Sequence, residues 1–266
     1  MTAIARTFGR EAFGADPAAY DAARPGYPEW VWDALTQRCG LVPGCAAFEV
    51  GAGTGAATRR LLAAGAEVIA VEPDARLADY LRSSTPSPAL RVVTKPFETA
   101  DLPHAGFDLG LAATSFHWLQ ELAALNRAAE LLRPGGWWAM VWNVFGDPER
   151  PDAFHEATRA LLEDGPRSPS HGGRAGVPFA LATGARLSAF GRCGAFRDIA
   201  HEARPWTLEL DADQTVALYA TFSDMTARPP AEQSQVLAEL RRIAGDQFGG
   251  RVTRNMVTIL YTARRR

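Results

Sequence analysis

The stretch AAFEVGAGTGAATRRLLAAG (residues 46–65) decides the fold. An apolar run ends in three alternating glycines, Gly51, Gly53 and Gly55, and then passes into apolar residues at three- and four-residue spacing. That order reads as strand, tight turn and helix. A strand that feeds a glycine-rich turn into a helix aims backbone N–H groups at a ligand on the positive helix end. Glycine at the turn also lets a ligand approach the backbone closely.

The alternation continues outward from this stretch. Further strands are expected at EVIAVE (67–72), LRVVT (90–94), FDLGLAA (107–113) and WWAMVWNV (137–144), with CAAFEV (45–50) as the first. Helical patterns lie between them, and RPGG (133–136) reads as a helix stop before the fifth strand. Strands alternating with helices predict an α/β chain with a parallel sheet. Upstream, YPEWVWDALTQRCG predicts a helix with Pro28 in its first turn and Gly40 at its exit. After residue 144 the chain becomes rich in Gly, Pro and Ser around one amphipathic helix, which reads as an inserted cap or lid. Alternation returns at HEARPWTLEL (201–210). Helices are then expected over 211–224 and 230–244, and a final strand in RVTRNMVTILYTARR.

Composition narrows the function classes. The chain has 266 residues, 47% hydrophobic and 22% charged, with a net charge of −2. A sizeable core is affordable, and no basic excess points to a nucleic-acid partner. Cys39, Cys45 and Cys193 are odd in number and lack metal or redox spacing, so reduced thiols are expected. His155 and His171, in the variable segment, read as loop residues, and no metal site is expected. The N-terminus lacks the apolar core of a signal peptide, and no apolar run is long enough to span a membrane, so a cytoplasmic protein is expected. Lys95 is the one lysine among 28 basic residues, a bias that suggests a GC-rich bacterial genome.

The glycine turn alone leaves its cofactor open. Gly51-x-Gly53-x-x-Ala56 is a permitted dinucleotide fingerprint, whereas Gly51-x-Gly53-x-Gly55 is the spacing associated with S-adenosylmethionine. Glu72 ends the second strand, where a carboxylate accepts hydrogen bonds from ribose hydroxyls of either cofactor.

Four ordered motifs, FEVGAGTG, VIAVEPD, FDLGLAATSFHWL and LLRPGGWWAMVWN, resemble the class I S-adenosylmethionine-dependent methyltransferases. They are most similar to the small-molecule branch typified by trans-aconitate and ubiquinone-type enzymes, as is the N-terminal YDAARPGYP. LYATFSDMTARPP resembles that branch more loosely, and residues 145–190 carry none of the likeness. The resemblance implies a Rossmann-like, doubly wound, seven-stranded α/β sheet with the last strand antiparallel. The expected organisation is an N-terminal helical cover (1–40), a cofactor-binding core (41–145), a cap (146–196) and a C-terminal completion of the sheet (197–266).

It also implies roles for matching residues. Gly51, Ala52, Gly53 and Gly55 would line the methionine and ribose portions of the cofactor. Glu72 would hold the ribose, with Pro73 and Leu77 near the adenine and Phe97 and Glu98 by its ring and amino group. Ala113 and Thr114 would lie under the methionine moiety, and many relatives carry Gln where this chain has Thr114. Tyr20 and Arg24 would close over the methionine carboxylate, which a guanidinium pairs in bidentate fashion.

Methyl transfer needs a base only if the acceptor must lose a proton. His117 in SFHWL is the candidate, and packing of the His117–Trp118 pair on the cofactor loop is the competing reading. Phe13, Tyr27, Trp118, Trp142 and Phe145 suggest a pocket for a small apolar or aromatic acceptor, as in secondary metabolism. No nucleic acid or membrane partner is expected, and a homodimer is compatible with the chain. Two alternatives remain open at this stage: an enzyme that uses the sulfonium charge without methylating, and a non-catalytic cofactor-binding module.

Overall fold

The computed structural model describes residues 3–171 and 176–266; residues 172–175 of the expected cap lie outside them. Seven strands form one sheet: β1 (Ala46–Val50), β2 (Glu67–Val71), β3 (Leu90–Val93), β4 (Phe107–Ala113), β5 (Leu132–Phe145), β6 (Phe196–Asp211) and β7 (Arg251–Arg265). Their order is β3-β2-β1-β4-β5-β7-β6. Pairings from β3 through β5 are parallel, and β7 runs antiparallel to both of its neighbours, β5 and β6. The last strand alone is therefore reversed, as expected.

Helices cover both faces because the inner strands are apolar on both sides. On one face, Phe48, Trp138, Met140, Trp142, Ile259 and Tyr261 pack under α5 (Glu121–Leu131) and α7 (Thr183–Cys193). On the other, Ala47, Ala139, Val141 and Leu260 meet Val31, Trp32 and Leu35 of α2 (Glu29–Cys39) and Leu61 of α3 (Ala56–Ala63). The intervening α4 (Ala75–Ser84) is capped by Asp74, whose carboxylate accepts from the Arg76 N–H. A short helix, α1 (Pro17–Ala23), precedes α2, with Asp16 as its cap.

Two details differ from the sequence reading. The fifth strand begins at Leu132, not at 137. The β4–β5 register slips between Phe107 and Leu109, so RPGG is an irregularity inside the strand. The expected cap segment also divides. Its helix α6 (Ala153–Glu163) shares a small core with α8 (Ala212–Ala220), α9 (Ser223–Thr226) and α10 (Pro230–Phe248), built on Phe154, Tyr219, Met225, Leu240 and Ile243. Its second helix, α7, lies on the sheet layer through Ala189 and Phe190. Composition could not separate these two uses of one Gly- and Pro-rich stretch. His155 falls on α6, and His171, in a 3-10 turn, faces Asp224 at 3.8 Å.

The α6 module is fastened to the sheet by a buried ion pair. Arg254 of β7 donates through Nε to both Asp152 oxygens, at 3.1 and 3.0 Å, and also bonds the Tyr219 hydroxyl. Asp152 in turn accepts from the Asn255 N–H and caps α6. Both side chains are almost wholly buried, so removing one partner strands the other charge. Arg254→Met is expected to destabilise the fold by about 3–5 kcal/mol. Urea unfolding checks this as a lowered midpoint; an unchanged midpoint refutes it.

Candidate active site

The carboxyl ends of β1, β2 and β4 open into a cavity of about 1210 Å³, part of it open to solvent. This is where open α/β sheets bind ligands. The glycine turn forms its floor. Gly51 donates its N–H to the Val71 carbonyl at 2.8 Å, joining the turn to β2. Gly53 has φ +58°, and a Cβ there would meet nothing within 4 Å, so its open side belongs to the cavity. Gly55 has φ +94°, and a Cβ there would come within 2.3 Å of Leu81. Gly55 thus serves turn geometry and packing on α4 and does not line the cavity.

Two buried carboxyls face this space. Glu72 accepts from the Gly53 N–H at 2.8 Å and from the Asp74 N–H at 2.9 Å. Burial pushes its pKa up to about 7, against the pull of those two donors. Glu49, the last acidic residue before the turn, accepts from the Thr58 hydroxyl at 2.5 Å, and burial pushes it up to about 8.

The N-terminal segment roofs the cavity. Arg6 bonds the Leu119 carbonyl, Arg10 pairs with Glu98 at 3.2 Å, and Arg76 bonds the Glu11 carbonyl at 2.7 Å. A Cβ on Gly9 would lie 2.3 Å from the Trp118 indole, so the segment rests directly on that ring. Phe13 meets Tyr20 and Trp118 at centroid distances of 5.5 and 6.1 Å. Arg24 stands among the rings of Tyr20, Phe145 and Phe222, each within 5.4 Å of its guanidinium carbon. It donates to the Thr221 carbonyl at 2.8 Å, while its Nε is buried without a partner.

Tyr20, Arg24, Gly51, Ala52, Gly53, Glu72, Pro73, Leu77, Phe97, Glu98, Ala113 and Thr114 all line this cavity, as do Phe13, Tyr27, Trp118 and Phe145. His117 and Trp142 do not. Trp142 packs inward against Phe179 and Tyr261. His117 is 4% exposed, and its Nδ1 accepts from the Trp142 Nε1–H at 3.2 Å. Burial pulls its pKa down to about 3, which keeps the ring neutral. His117 thus lies buried beside Trp142 and Phe179 and not on the cavity wall.

Sequence reasoning missed Arg6, Arg10, Glu49, Ser115 and Asn143 as lining residues. Asn143 had a signal, being a lone amide in the apolar run MVWNV. Glu49 had one too, as an acidic residue at a strand end directly before the glycines.

Residues 48–140 match the family model described as methyltransferase domain. Over that stretch the chain is similar to the methyltransferase domain family, and its sheet has the Rossmann-like fold of S-adenosylmethionine-dependent methyltransferases. It is 34% identical over 136 residues to an uncharacterised methyltransferase of Mycobacterium tuberculosis, a match covering 50% of this chain and 52% of that one. A methyltransferase-like protein of Schizosaccharomyces pombe is 34% identical over 136 residues, covering 51% and 52%. The chain thus spans about half the length of these curated relatives. Among solved structures, one classed as a type II methyltransferase from Anaeromyxobacter dehalogenans superposes with a TM-score of 0.64 at 24% identity, covering 91% of this chain and 97% of that one. Phosphoethanolamine N-methyltransferase 2 of Haemonchus contortus, solved with S-adenosyl-L-methionine, gives 0.57 at 13%, covering 98% and 59%. These two share the fold.

The methyl donor of that family fits the cavity found here. An open-sided glycine turn, a strand-end carboxylate and the Arg24 side chain line one space. Among the described residues no helix is long and apolar enough to cross a membrane, and no group of three or more His, Cys, Asp or Glu gathers as a metal site.

Two outcomes follow from these environments. His117→Phe removes the acceptor of a buried indole N–H. It is expected to cost about 1–3 kcal/mol of stability while leaving S-adenosylhomocysteine affinity within twofold. Denaturant melts and calorimetric titration check both halves, and a large loss of affinity would return His117 to the site. The second concerns pH. Glu49 and Glu72 keep protons to about pH 8 and 7 in the folded chain, against an ordinary value of 4.5. The native state then binds more protons than the unfolded state between those limits, so stability declines as pH rises from about 4.5 to 8. Glu49→Gln is expected to flatten that decline in thermal melts; an unaltered slope assigns it elsewhere.

Proposed function

We propose that the chain transfers a methyl group from S-adenosylmethionine to a small, largely apolar or aromatic organic acceptor, in bacterial secondary metabolism. The observation that carries this reading is the convergence of twelve of the thirteen expected cofactor residues on one cavity that also holds four of the five expected aromatic pocket residues. When bound, the cofactor supplies an electrophilic methyl group on a positively charged sulfur.

The chain's own residues do the rest. Glu72 keeps lone pairs free beyond the two N–H bonds it accepts, and these receive the ribose hydroxyls. Leu77, Pro73 and Phe97 give the adenine an apolar slot, with Glu98 at its edge. Arg24, on the cavity wall, pairs with the methionine carboxylate through its guanidinium. The aromatic roof of Phe13, Tyr20 and Trp118 excludes water and holds the reactants in one orientation, and orientation supplies much of the rate. With His117 turned into the core, the reading assigns no proton abstraction to a histidine. The module of α6 and α8–α10, which packs through Phe222 behind Arg24 and Phe145 of the cavity wall, is the proposed acceptor-side cover.

Labelled S-adenosylmethionine, incubated with the protein and a panel of small acceptors, tests the activity. Methyl incorporation with stoichiometric S-adenosylhomocysteine supports it. Cofactor binding without that product favours a sulfonium-charge enzyme or a binding module. Glu72→Ala is expected to weaken S-adenosylhomocysteine binding by about tenfold or more, since hydrogen bonds to a charged group are lost. Affinity for the wild type should rise as pH passes about 7 and Glu72 ionises. A pH-independent affinity that survives the substitution removes Glu72 from the site.

A further inference from the structure

Thr114 is one of three non-glycine residues with positive φ among those described, at +53°. A β-branched residue in the left-handed region is a true outlier, and such strain persists where the surroundings over-determine it. They do so here. The Thr114 N–H is fixed on the Val141 carbonyl at 2.7 Å, and its hydroxyl meets the Tyr27 hydroxyl at 2.7 Å. Both side chains line the cavity.

Tyr27 is held just as firmly. Its ring stands edge-on to Trp32 at 6.3 Å. The backbone before it is clamped by Asn143, whose Nδ2 donates to the Gly26 carbonyl at 3.1 Å. The Asn143 oxygen accepts from the Thr258 hydroxyl at 2.6 Å, and Thr258 accepts from the Trp206 indole at 2.8 Å. A polar chain, buried at Thr258 and Asn143, thus runs from β6 across the sheet to set one phenol in place.

We propose that the Tyr27–Thr114 hydroxyl pair anchors the methyl acceptor, and that the group it takes is an uncharged hydroxyl on an apolar body. The proposal rests on the methyl-transfer reading and moves Thr114 from the cofactor half to the acceptor half. Two hydroxyls hold two hydrogens, of which their mutual bond uses one. The other is left to donate into the cavity, beside free lone pairs that accept. A hydroxyl, itself donor and acceptor, complements that set. A charged group is not the match, because Arg24, the cation on this part of the wall, is taken by the methionine carboxylate in the methyl-transfer reading, and Glu49 keeps its proton to about pH 8. Burial raises the Tyr27 pKa far above its ordinary value, so the pair orients as a neutral phenol and takes no net proton.

The test uses the full chain with saturating S-adenosylhomocysteine and three probes, 4-methylphenol, toluene and 4-methylbenzoate, with binding followed by ligand-observed NMR. The wild type should prefer 4-methylphenol to toluene by about fivefold, the worth of one net hydrogen bond. Tyr27→Phe and Thr114→Gly should each abolish that preference, and Thr114→Ser should restore it. Thr114→Gly should also melt no lower than the wild type, because glycine relieves the left-handed strain. A purely structural role predicts the reverse: a lower melting temperature with the preference intact. A retained preference in Tyr27→Phe and Thr114→Gly, no preference in the wild type, or 4-methylbenzoate binding as tightly as 4-methylphenol overturns the proposal. Failure of the wild type to bind S-adenosylhomocysteine sinks the methyl-transfer reading first.

Discussion

Glu72 is the joint on which the site turns. Its carboxyl ties the glycine turn to the end of β2 through the Gly53 N–H, and to the start of α4 through the Asp74 N–H. Burying a carboxylate is unfavourable unless hydrogen bonds compensate, and two backbone donors compensate only in part. The remainder appears as a raised pKa. A ligand bringing more donors to the same oxygens would lower that residual cost, so the empty-handed carboxyl is itself an argument for a polyhydroxylated ligand. Glu49 carries the same imbalance more strongly, with one hydroxyl partner.

The cavity is closed by elements that are distant in sequence, and each is fastened by a polar contact rather than by bulk burial. The N-terminal segment has no buried residue in its first 3-10 turn. It is held by Arg10 on Glu98, Arg59 on Asp21 and the Glu11 carbonyl on Arg76. Exposed pairs of this kind contribute little each, so the segment is the part of the fold that opens most cheaply. The α6 module is fastened by the dry Arg254–Asp152 pair and by its own small core.

Much of this was legible beforehand, for physical reasons. The parallel strands are apolar on both faces, which makes them visible as runs, and the glycine turn has few alternative uses. Glu72 was legible because strand ends in this fold point at the ligand. What escaped was of two kinds. The cap could not be divided, because α6 and α7 both carry amphipathic patterns and only packing tells which core each one joins. The choice between base and packing residue for His117 was not legible, because a sequence records that a histidine follows β4, not that the Trp142 indole donates to its ring. One turn of backbone separates a base from a packing residue, and periodicity in a three-residue 3-10 turn is too short to say which way a side chain faces.

Thr114 shows the limit of transferring roles by position. A Gln in its place would reach further and would present an amide, whereas threonine keeps its hydroxyl close to a strained backbone. Left-handed threonine is unfavourable on its own account, and glycine or asparagine would relieve it at the same place. The fold nonetheless commits a hydrogen-bonded chain of Trp206, Thr258 and Asn143 to fixing the phenol that Thr114 meets. The hydroxyl pair lies where the core packing of the Tyr27 ring gives way to open cavity. A constraint maintained from both sides at the edge of an open space is best understood as shaped by what occupies that space.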